Sequence, residues 1–148
     1  MKFQREIAGE KLFDDMAPLW VEHWSEIIGD PGEPLKPNLD QYVALEAAGV
    51  LRAFTARDED DDELVGYAVY FVTHSVHSTE LLRAVSDAVF ILRERRGFGG
   101  EFLKWTEGQL AAEGVGVIGQ HVRATHNFGP MLERMGYELV ELIYQRRM

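Results

Sequence analysis

Residues 84–122 carry the pattern that most constrains the fold of this chain. A strand-like run at 84–92, rich in β-branched and aromatic residues, leads into a glycine-rich stretch, a helical pattern and a second strand-like run at 115–122. Gly114 is placed to end the helix. Phe102, Leu103, Thr106 and Leu110 lie on one face of this predicted helix. A strand, a helix and a strand in this order predict a parallel strand pair joined by a right-handed crossover.

The first half of the chain predicts two helices and an antiparallel hairpin. Apolar residues recur at steps of three and four over residues 10–28, and a second helix is predicted at 39–48 with Asn38 as its cap. Two β-rich runs, at 50–57 and 63–72, flank an acidic turn and are typical of a hairpin.

The remaining segments complete a mixed sheet. A polar connection is predicted at 73–83, a short helix at 127–135 and a closing strand at 137–146. The fold class is therefore α/β, an α+β mixed sheet with two N-terminal helices, an antiparallel hairpin, and then β-α-β-α-β with a splayed parallel strand pair. No repeat or linker divides the chain, so residues 1–148 are interpreted as one domain.

Composition excludes several classes of function. The formal net charge of -10 disfavours a nucleic-acid partner, and the absence of cysteine excludes a thiol nucleophile. The N-terminal stretch lacks the apolar core of a signal peptide, and the longest apolar run is too short to span a membrane. We therefore expect a cytoplasmic protein without a membrane partner.

An acidic run, DEDDDE at 58–63, contributes much of the negative charge. It is either a site for a cation or polyamine or a hydrated turn, and the second interpretation is favoured because like charges repel and stay solvated. A calcium loop fits poorly, because Glu63 stands where glycine is needed and Val69 where the closing glutamate belongs.

The glycine-rich stretch between strand and helix predicts an anion site. Backbone N–H groups at the start of a helix point towards a ligand, with the positive end of the helix dipole behind them. Glycine admits close approach of a phosphate, and arginine adds charge-assisted hydrogen bonds. The residues concerned are Arg95, Arg96, Gly97, Phe98, Gly99 and Gly100. Plain tight-turn packing is the alternative.

These motifs resemble those of the GNAT superfamily of acyl-CoA N-acyltransferases. In that family a strand precedes R/Q-x-x-G-x-G/A and a helix, as AVFIL precedes ERRGFGGEFLKWTE here, and NFGPMLERMGY is similar to the downstream element. In one register Gly97 and Gly99 are the family's glycines and Glu94 takes the Arg/Gln position; in the other Arg96 takes it and Glu101 stands at the last position. We favour the first register because it keeps the helix phase. The likeness extends to a phage and bacterial subgroup.

The resemblance implies acetyl-CoA as the acyl-donor substrate. Backbone groups of the strand end would hold the pantetheine arm and the glycine turn the pyrophosphate, with Asn127 also touching the cofactor. The implied binding residues are Phe90, Ile91, Leu92, Arg95, Arg96, Gly97, Phe98, Gly99, Gly100 and Asn127. Leu132 stands where many members carry the tyrosine that protonates the departing thiolate.

Three side chains are candidates for acid–base catalysis. Asp87 lies where a subset of the family carries an acidic base, and its alternative role is to pair with a hydroxyl or backbone N–H. His121, at the end of the strand at 115–122, and His126, just before the last helix, are expected to face the splay between the parallel strands; either could instead be structural. No metal is expected, because the spacing of His74, His77 and Glu80 is unspecific.

The first hypothesis is an enzyme, an N-acetyltransferase that moves acetyl directly from acetyl-CoA to a primary amine. The alternative is a non-catalytic or regulatory binding protein on the same fold with a degenerate CoA loop. A third is a partner-binding module that uses the acidic hairpin. The acidic surface favours a cationic small-molecule or protein amine as acceptor, and a homodimer that pairs through the last strand stays open.

Overall fold

The structure, a computed structural model, describes residues 1–27 and 33–148. The strands are β1 (Lys2–Glu6), β2 (Leu51–Arg57), β3 (Leu64–Ser75), β4 (Ser78–Ile91) and β5 (Val117–Gly119). The helices are α1 (Glu10–Ile27), α2 (Leu39–Ala47), α3 (Gly99–Ala112) and α4 (Gly129–Arg134), and a 3₁₀ helix spans Arg93–Phe98. Ile28, the last residue predicted for the first helix, lies outside the described residues.

The five strands form one mixed sheet in the order β1-β2-β3-β4-β5. The first four pair antiparallel, and β5 joins β4 in parallel through α3. The predicted mixed sheet, the hairpin and the parallel pair are thus confirmed. The side chain of Asn38 accepts a hydrogen bond from the backbone N–H of Gln41 at 3.1 Å, which confirms the predicted cap of α2.

Helices cover both faces of the sheet, and each face has its own apolar cluster. On the first face α1 packs against alternate residues of the central strands, namely Leu51, Ala53, Tyr67, Val69 and Phe90. On the second face α3 packs against the intervening residues, including Phe54, Ala56, Ala68, Tyr70 and Ile91. Because neighbouring residues of a strand point to opposite faces, one run of apolar residues supplies both clusters.

The polar connection predicted at 73–83 is wrong. β3 and β4 continue as a two-stranded ribbon, with His74 opposite Leu82 and a tight turn between Ser75 and Ser78. Both faces of this ribbon are largely solvent-exposed, so the sequence lacks the alternation of apolar and polar residues that marks a half-buried strand. Strand β1, at Lys2–Glu6, was also not predicted.

The predicted closing strand at 137–146 is wrong as well. No residue of 137–148 belongs to a strand or helix, and the side chains from residue 138 onward are exposed. The strand predicted at 115–122 shrinks to Val117–Gly119, and the helix predicted at 127–135 shrinks to Gly129–Arg134. Apolar residues recur as a strand requires, but a segment forms a strand only where it pairs with the edge of another strand. A sequence pattern does not show whether that pairing occurs.

A buried arginine joins the edge strand to α1. Arg57, 3% exposed, places Nε 2.7 Å from Oε1 of Glu6 and Nη2 2.7 Å from Oδ2 of Asp15. Burial raises the pKa of Glu6, but hydrogen bonds from Arg57 and Thr55 outweigh it and lower this pKa from its ordinary 4.5 to about 2. The carboxylate therefore stabilises the folded state at neutral pH.

We expect Glu6→Gln to lower the free energy of unfolding at neutral pH by about 3 kcal/mol, since each unit of pKa shift corresponds to roughly 1.4 kcal/mol. In the parent this stabilisation is complete above the unfolded pKa of 4.5 and is lost as the pH falls towards about 2. Urea denaturation over that pH range measures both effects. The matched control is Glu59→Gln, which removes an exposed partner of the N-terminal amine. Equal stability of the two variants would contradict the role of Glu6.

Candidate active site

The site is built where the parallel strands separate. β4 and β5 pair over three residues, the last pair being Val85 with Gly119. Two residues further on, the backbone N–H of His121 donates to the hydroxyl of Ser86 at 2.8 Å, so a side chain takes the place of a ladder carbonyl. Within the described residues no strand pairs with this edge of β4 from residue 87 to residue 91. A cleft with backbone polar groups along one wall results.

A β-bulge presents Asp87 at the start of the cleft. Val69 of β3 pairs with Ala88 and Tyr70 pairs with Ser86, so Asp87 is the extra residue. Its Oδ2 accepts a hydrogen bond from the hydroxyl of Tyr42, on α2, at 2.5 Å. Burial and the nearby carboxylate raise the pKa of Tyr42, which keeps the phenol protonated and able to donate. The predicted residue thus lies in the cleft, and it has a hydroxyl partner.

A partly buried histidine of α1 packs on the α1 side of the sheet. The Nδ1 atom of His23 is 2.7 Å from the hydroxyl of Tyr67, and the imidazole stacks on Phe90 with ring centroids 4.9 Å apart. Burial lowers the pKa of His23 from 6.5 to about 4, and the carboxylate of Glu26 opposes this only in part. The imidazole is therefore neutral at neutral pH.

Glu26 connects α1 to the turn that follows β4. Its carboxylate, 7% exposed, lies 2.6 Å from Nη2 of Arg96 and 3.5 Å from Nη2 of Arg93. Nε2 of His126, in the segment before α4, lies 3.7 Å from the same carboxylate. A buried carboxylate needs several such partners to offset its desolvation. Three segments that are distant in sequence meet at this one group.

The glycine-rich turn is more helical than the sequence predicts. The 3₁₀ helix at Arg93–Phe98 continues directly into α3, and the N–H of Gly99 donates to the carbonyl of Arg96. Gly97, Gly99 and Gly100 all avoid positive φ. A Cβ on Gly99 would approach Cδ1 of Ile91 at 3.2 Å, whereas a Cβ on Gly97 or Gly100 would meet no atom within 4 Å. Packing accounts for one glycine and leaves two open to solvent.

The arginines expected to bind an anion are paired with carboxylates in this structure. Arg95 contacts Asp58 of the acidic turn, while Arg96 contacts Glu26 and donates Nε–H to the carbonyl of Ile91 at 3.1 Å. Arg93 is the most exposed of the three, at 76%. An incoming anion would therefore exchange partners with existing ion pairs.

The remaining candidates border the cleft in different ways. His121 lies at its mouth with an exposed side chain, whereas His126 is half-buried against Glu26. Asn127 accepts a hydrogen bond from the N–H of Gly129 at 2.8 Å and so supports the start of α4. Leu132 is buried and has no acid–base chemistry.

At the end of β4 the side chains pack into the core, while the backbone borders the cleft. Phe90 is 4% exposed and its ring packs against His23 and Tyr67, while Ile91 packs beneath α3. Leu92 donates its N–H to the carbonyl of Val65 at 3.0 Å. These side chains are core, so a ligand in the cleft would reach the strand through its backbone.

Sequence reasoning gave Tyr42, Tyr67 and Glu26 no role in the site. Glu26 follows His23 by three residues on a helix, so both lie on one face, and that spacing was a usable signal. Tyr42 and Tyr67 gave no comparable signal, because their partners, Asp87 and His23, are 45 and 44 residues away in the chain.

Solved structures share this fold. A ribosomal-protein-alanine N-acetyltransferase from Brucella melitensis biovar Abortus 2308 superposes with a TM-score of 0.72 at 15% identity, covering 100% of both chains. An aminoglycoside acetyltransferase from an uncultured soil metagenomic sample, solved with sisomicin, gives 0.72 at 14% identity over 99% of this chain and 96% of its own. The chain has the GNAT fold. No protein-family model and no curated protein sequence matches it.

The GNAT fold explains the order of elements around the cleft without fixing the chemistry. Among residues 1–27 and 33–148, no helix is long and apolar enough to cross a bilayer. In the same residues no three His, Cys, Asp or Glu side chains are grouped closely enough to bind a metal ion.

We expect the imidazole of His23 to titrate near pH 4 in NMR spectra of the folded protein. Phe90→Ala should raise this pKa towards 6.5, because removing the stacked ring admits water and relieves the desolvation that lowers it. Phe98→Ala is the matched control, since Phe98 packs against Phe3 on the other face. If both substitutions changed the pKa of His23 equally, local burial by Phe90 could not be its cause.

Proposed function

We propose that this protein is an N-acetyltransferase that moves the acetyl group of acetyl-CoA directly to an amine. The observation that carries the proposal is the pair of glycines, Gly97 and Gly100, at the end of the cleft. Glycine in helical backbone costs about 1 kcal/mol relative to alanine, and neither packing nor φ requires it at these positions. A ligand that lies against the backbone is a reason to keep both.

The surroundings fit the two ends of acetyl-CoA. The diphosphate would lie on the turn at Arg93–Phe98, where Arg93 is exposed and Arg95 and Arg96 are within reach once they leave their carboxylates. A diphosphate competes well for them because it carries more charge than one carboxylate and accepts several charge-assisted bonds. The pantetheine arm would follow the unpaired edge of β4, as a further strand would.

Asp87 is the proposed base. An alkyl ammonium has a pKa of about 10.4, so an acceptor amine must lose a proton before it attacks. Asp87 is exposed at the cleft and held by Tyr42, which fixes its orientation. The amine nitrogen then bonds to the thioester carbon, an N–H of the β4 edge stabilises the oxyanion, and the carbon–sulfur bond breaks.

The departing thiolate needs little help. Thiols have pKa values of about 8.5, so a thiolate is a competent leaving group without a dedicated acid. This makes the proposal compatible with Leu132 at the position where family members carry tyrosine. The proton can come from solvent or from the ammonium product. With no cysteine in the chain, transfer is direct rather than through a thioester on the protein.

The acceptor is proposed to be a cationic small molecule or a protein amine. The net charge of -10 and the exposed carboxylate of Asp87 at the cleft favour cations over anions. The two structural neighbours described above bear names that refer to a protein alanine and to aminoglycosides. Both names refer to amines, and the two amines differ so much that the fold alone does not identify the acceptor of this protein.

The second candidate is a non-catalytic binding protein on the same fold. It is favoured by the pairing of Arg95 with Asp58 and of Arg96 with Glu26, which occupies cations that a cofactor would need. Calorimetric titration with acetyl-CoA separates the two candidates, with desulfo-CoA and ATP as controls. Binding that depends on the pantetheine arm supports the enzyme, and no binding of any acyl-CoA supports the alternative.

Gly97→Ala is expected to stabilise the fold by roughly 0.5–1 kcal/mol and to weaken acetyl-CoA binding at least about tenfold, because the new methyl group meets only ligand. Gly108→Ala, in the exposed middle of α3, is the matched control: it also adds a methyl group in open space. It should give a similar gain in stability with unchanged affinity. Thermal denaturation and calorimetry provide the two readouts, and equal affinity of both variants would contradict the proposed diphosphate site.

Asp87→Asn is expected to lower kcat by about 10²-fold or more at neutral pH, because the amide cannot accept the proton of the amine. The dissociation constant of acetyl-CoA should change little, since the carboxylate is not part of the proposed donor site. Tyr42→Phe keeps the carboxylate and removes its hydroxyl partner, so its loss of kcat should be smaller. A pH–rate profile that Asp87→Asn leaves unaltered would show that the base lies elsewhere.

A further inference from the structure

The guanidinium of Arg96 lies among groups that form a cation site. Its Nη2 donates to both carboxylate oxygens of Glu26, at 2.6 Å and 2.5 Å, and its Nε donates to the carbonyl of Ile91 at 3.1 Å. Its Cζ lies over the ring of Phe90, 6.0 Å from the ring centroid. A carboxylate, a carbonyl and the face of an aromatic ring all attract cations. We call Glu26, Phe90 and Ile91 the cation pocket.

The walls of the cation pocket are held by contacts other than those with Arg96. Glu26 belongs to α1, Ile91 is the last residue of β4, and Phe90 is part of the apolar cluster under α1. The imidazole of His23, whose pKa burial lowers to about 4, stacks on Phe90 and adds no charge at neutral pH. The pocket therefore does not need Arg96 for its shape, and another cation can take the place of the guanidinium.

A bound cofactor gives Arg96 a competing partner. Arg96 belongs to the turn at Arg93–Phe98, on which the diphosphate of acetyl-CoA is proposed to lie, and its side chain is partly exposed. When Arg96 leaves, the carboxylate of Glu26 keeps two longer contacts, with Arg93 at 3.5 Å and with His126 at 3.7 Å. A buried carboxylate without a close cationic partner is costly. An acceptor that brings its own cation restores the lost pairing.

The carboxylate of Asp87 lies on the same side of the sheet as the cation pocket. It accepts a hydrogen bond from Tyr42, and Tyr42 packs against the apolar cluster under α1, to which Phe90 belongs. Asp87 precedes Phe90 by three residues on β4, so at most roughly 10 Å separates the two along the strand. A flexible acceptor can span that distance, with one nitrogen at Asp87 and a second cationic group at Glu26.

We propose that the cation pocket binds a second cationic group of the acceptor, and that Arg96 fills the pocket until the cofactor draws it away. The inference rests on the proposed function. The acceptor is then an amine that carries a further ammonium or guanidinium group. Its reacting nitrogen loses a proton to Asp87, while the second group stays charged at Glu26. Because the pocket must be vacated first, the cofactor promotes binding of the acceptor.

Removal of Arg96 tests the cation pocket without any cofactor. Arg96→Ala leaves Glu26 without its closest partner, so ethylguanidinium and cadaverine should bind and raise the melting temperature as their concentration increases. Arg95→Ala is the matched control, because Arg95 pairs with Asp58 and its removal vacates no part of the pocket. We expect no such rise for Arg95→Ala, nor for Arg96→Ala combined with Glu26→Gln. If Arg96→Ala responds no more than Arg95→Ala, the pocket does not bind cations and the proposal is wrong.

Calorimetry with the unreactive analogue desulfo-CoA tests the coupling. The parent chain should bind cadaverine at least about tenfold more tightly when desulfo-CoA is saturating than when it is absent, and Glu26→Gln should remove this gain. Equal affinity for cadaverine with and without bound desulfo-CoA would contradict the displacement of Arg96. A parent that binds no desulfo-CoA contradicts the proposed function instead, and the titration of Arg96→Ala still decides whether the pocket binds a cation.

Acetylation rates of cadaverine and pentylamine, whose carbon chains are equally long, test the acceptor class. The parent should show the higher kcat/KM for cadaverine, beyond the statistical factor for its two amines. In Glu26→Gln this preference should fall at least about tenfold while kcat/KM for pentylamine changes little, because a monoamine leaves the pocket empty. Glu22→Gln, which removes the same charge one turn earlier on α1, should keep the preference. Equal use of both amines by the parent, or a preference that Glu26→Gln leaves intact, would overturn the proposal.

Discussion

The early end of the pairing between β4 and β5 is the constraint on which the cleft depends. Three residue pairs hold the strands together, and then the hydroxyl of Ser86 takes the N–H of His121. A ladder that continued would fill the cleft with backbone hydrogen bonds. A ladder that ended without Ser86 would leave the partly buried N–H of His121 without this partner, which is costly. The serine thus lets the strands separate at a defined residue.

The groups around the cleft are organised by contacts between distant segments. The carboxylate of Glu26 contacts Arg96, in the turn after β4, and His126, in the segment before α4. The carboxylate of Asp87 accepts a hydrogen bond from Tyr42 of α2. Each contact joins an element on the α1 side of the sheet to the strand or turn that borders the cleft. The positions of these carboxylates are consequently set by tertiary packing and not by local sequence.

The difference between local contacts and contacts between distant segments explains how far the sequence could predict the structure. Asn38 and Gly114 act within a few residues of themselves, and the cap and the helix end that they predict are present. Asp87 was placed at the site from a motif, but the bulge that exposes it is visible only in the register with β3. The strand predicted at 137–146 is wrong because an apolar pattern does not show whether a segment pairs with the edge of another strand. Residues 73–83 were predicted as a connection because a ribbon that is exposed on both faces lacks the alternation of apolar and polar residues by which a strand is recognised.

The separation of the core into two clusters by the sheet has a consequence for how the protein can change. The cluster under α1 and the cluster under α3 share no buried side chain, and Leu92, after the end of β4, is the one described residue that packs against both. Energetic effects of substitutions that share no partners are close to additive. The surface around His23 and Tyr67 can therefore be remodelled with little effect on the packing of α3 and its glycines. One side of the molecule is free to diversify while the other is held constant.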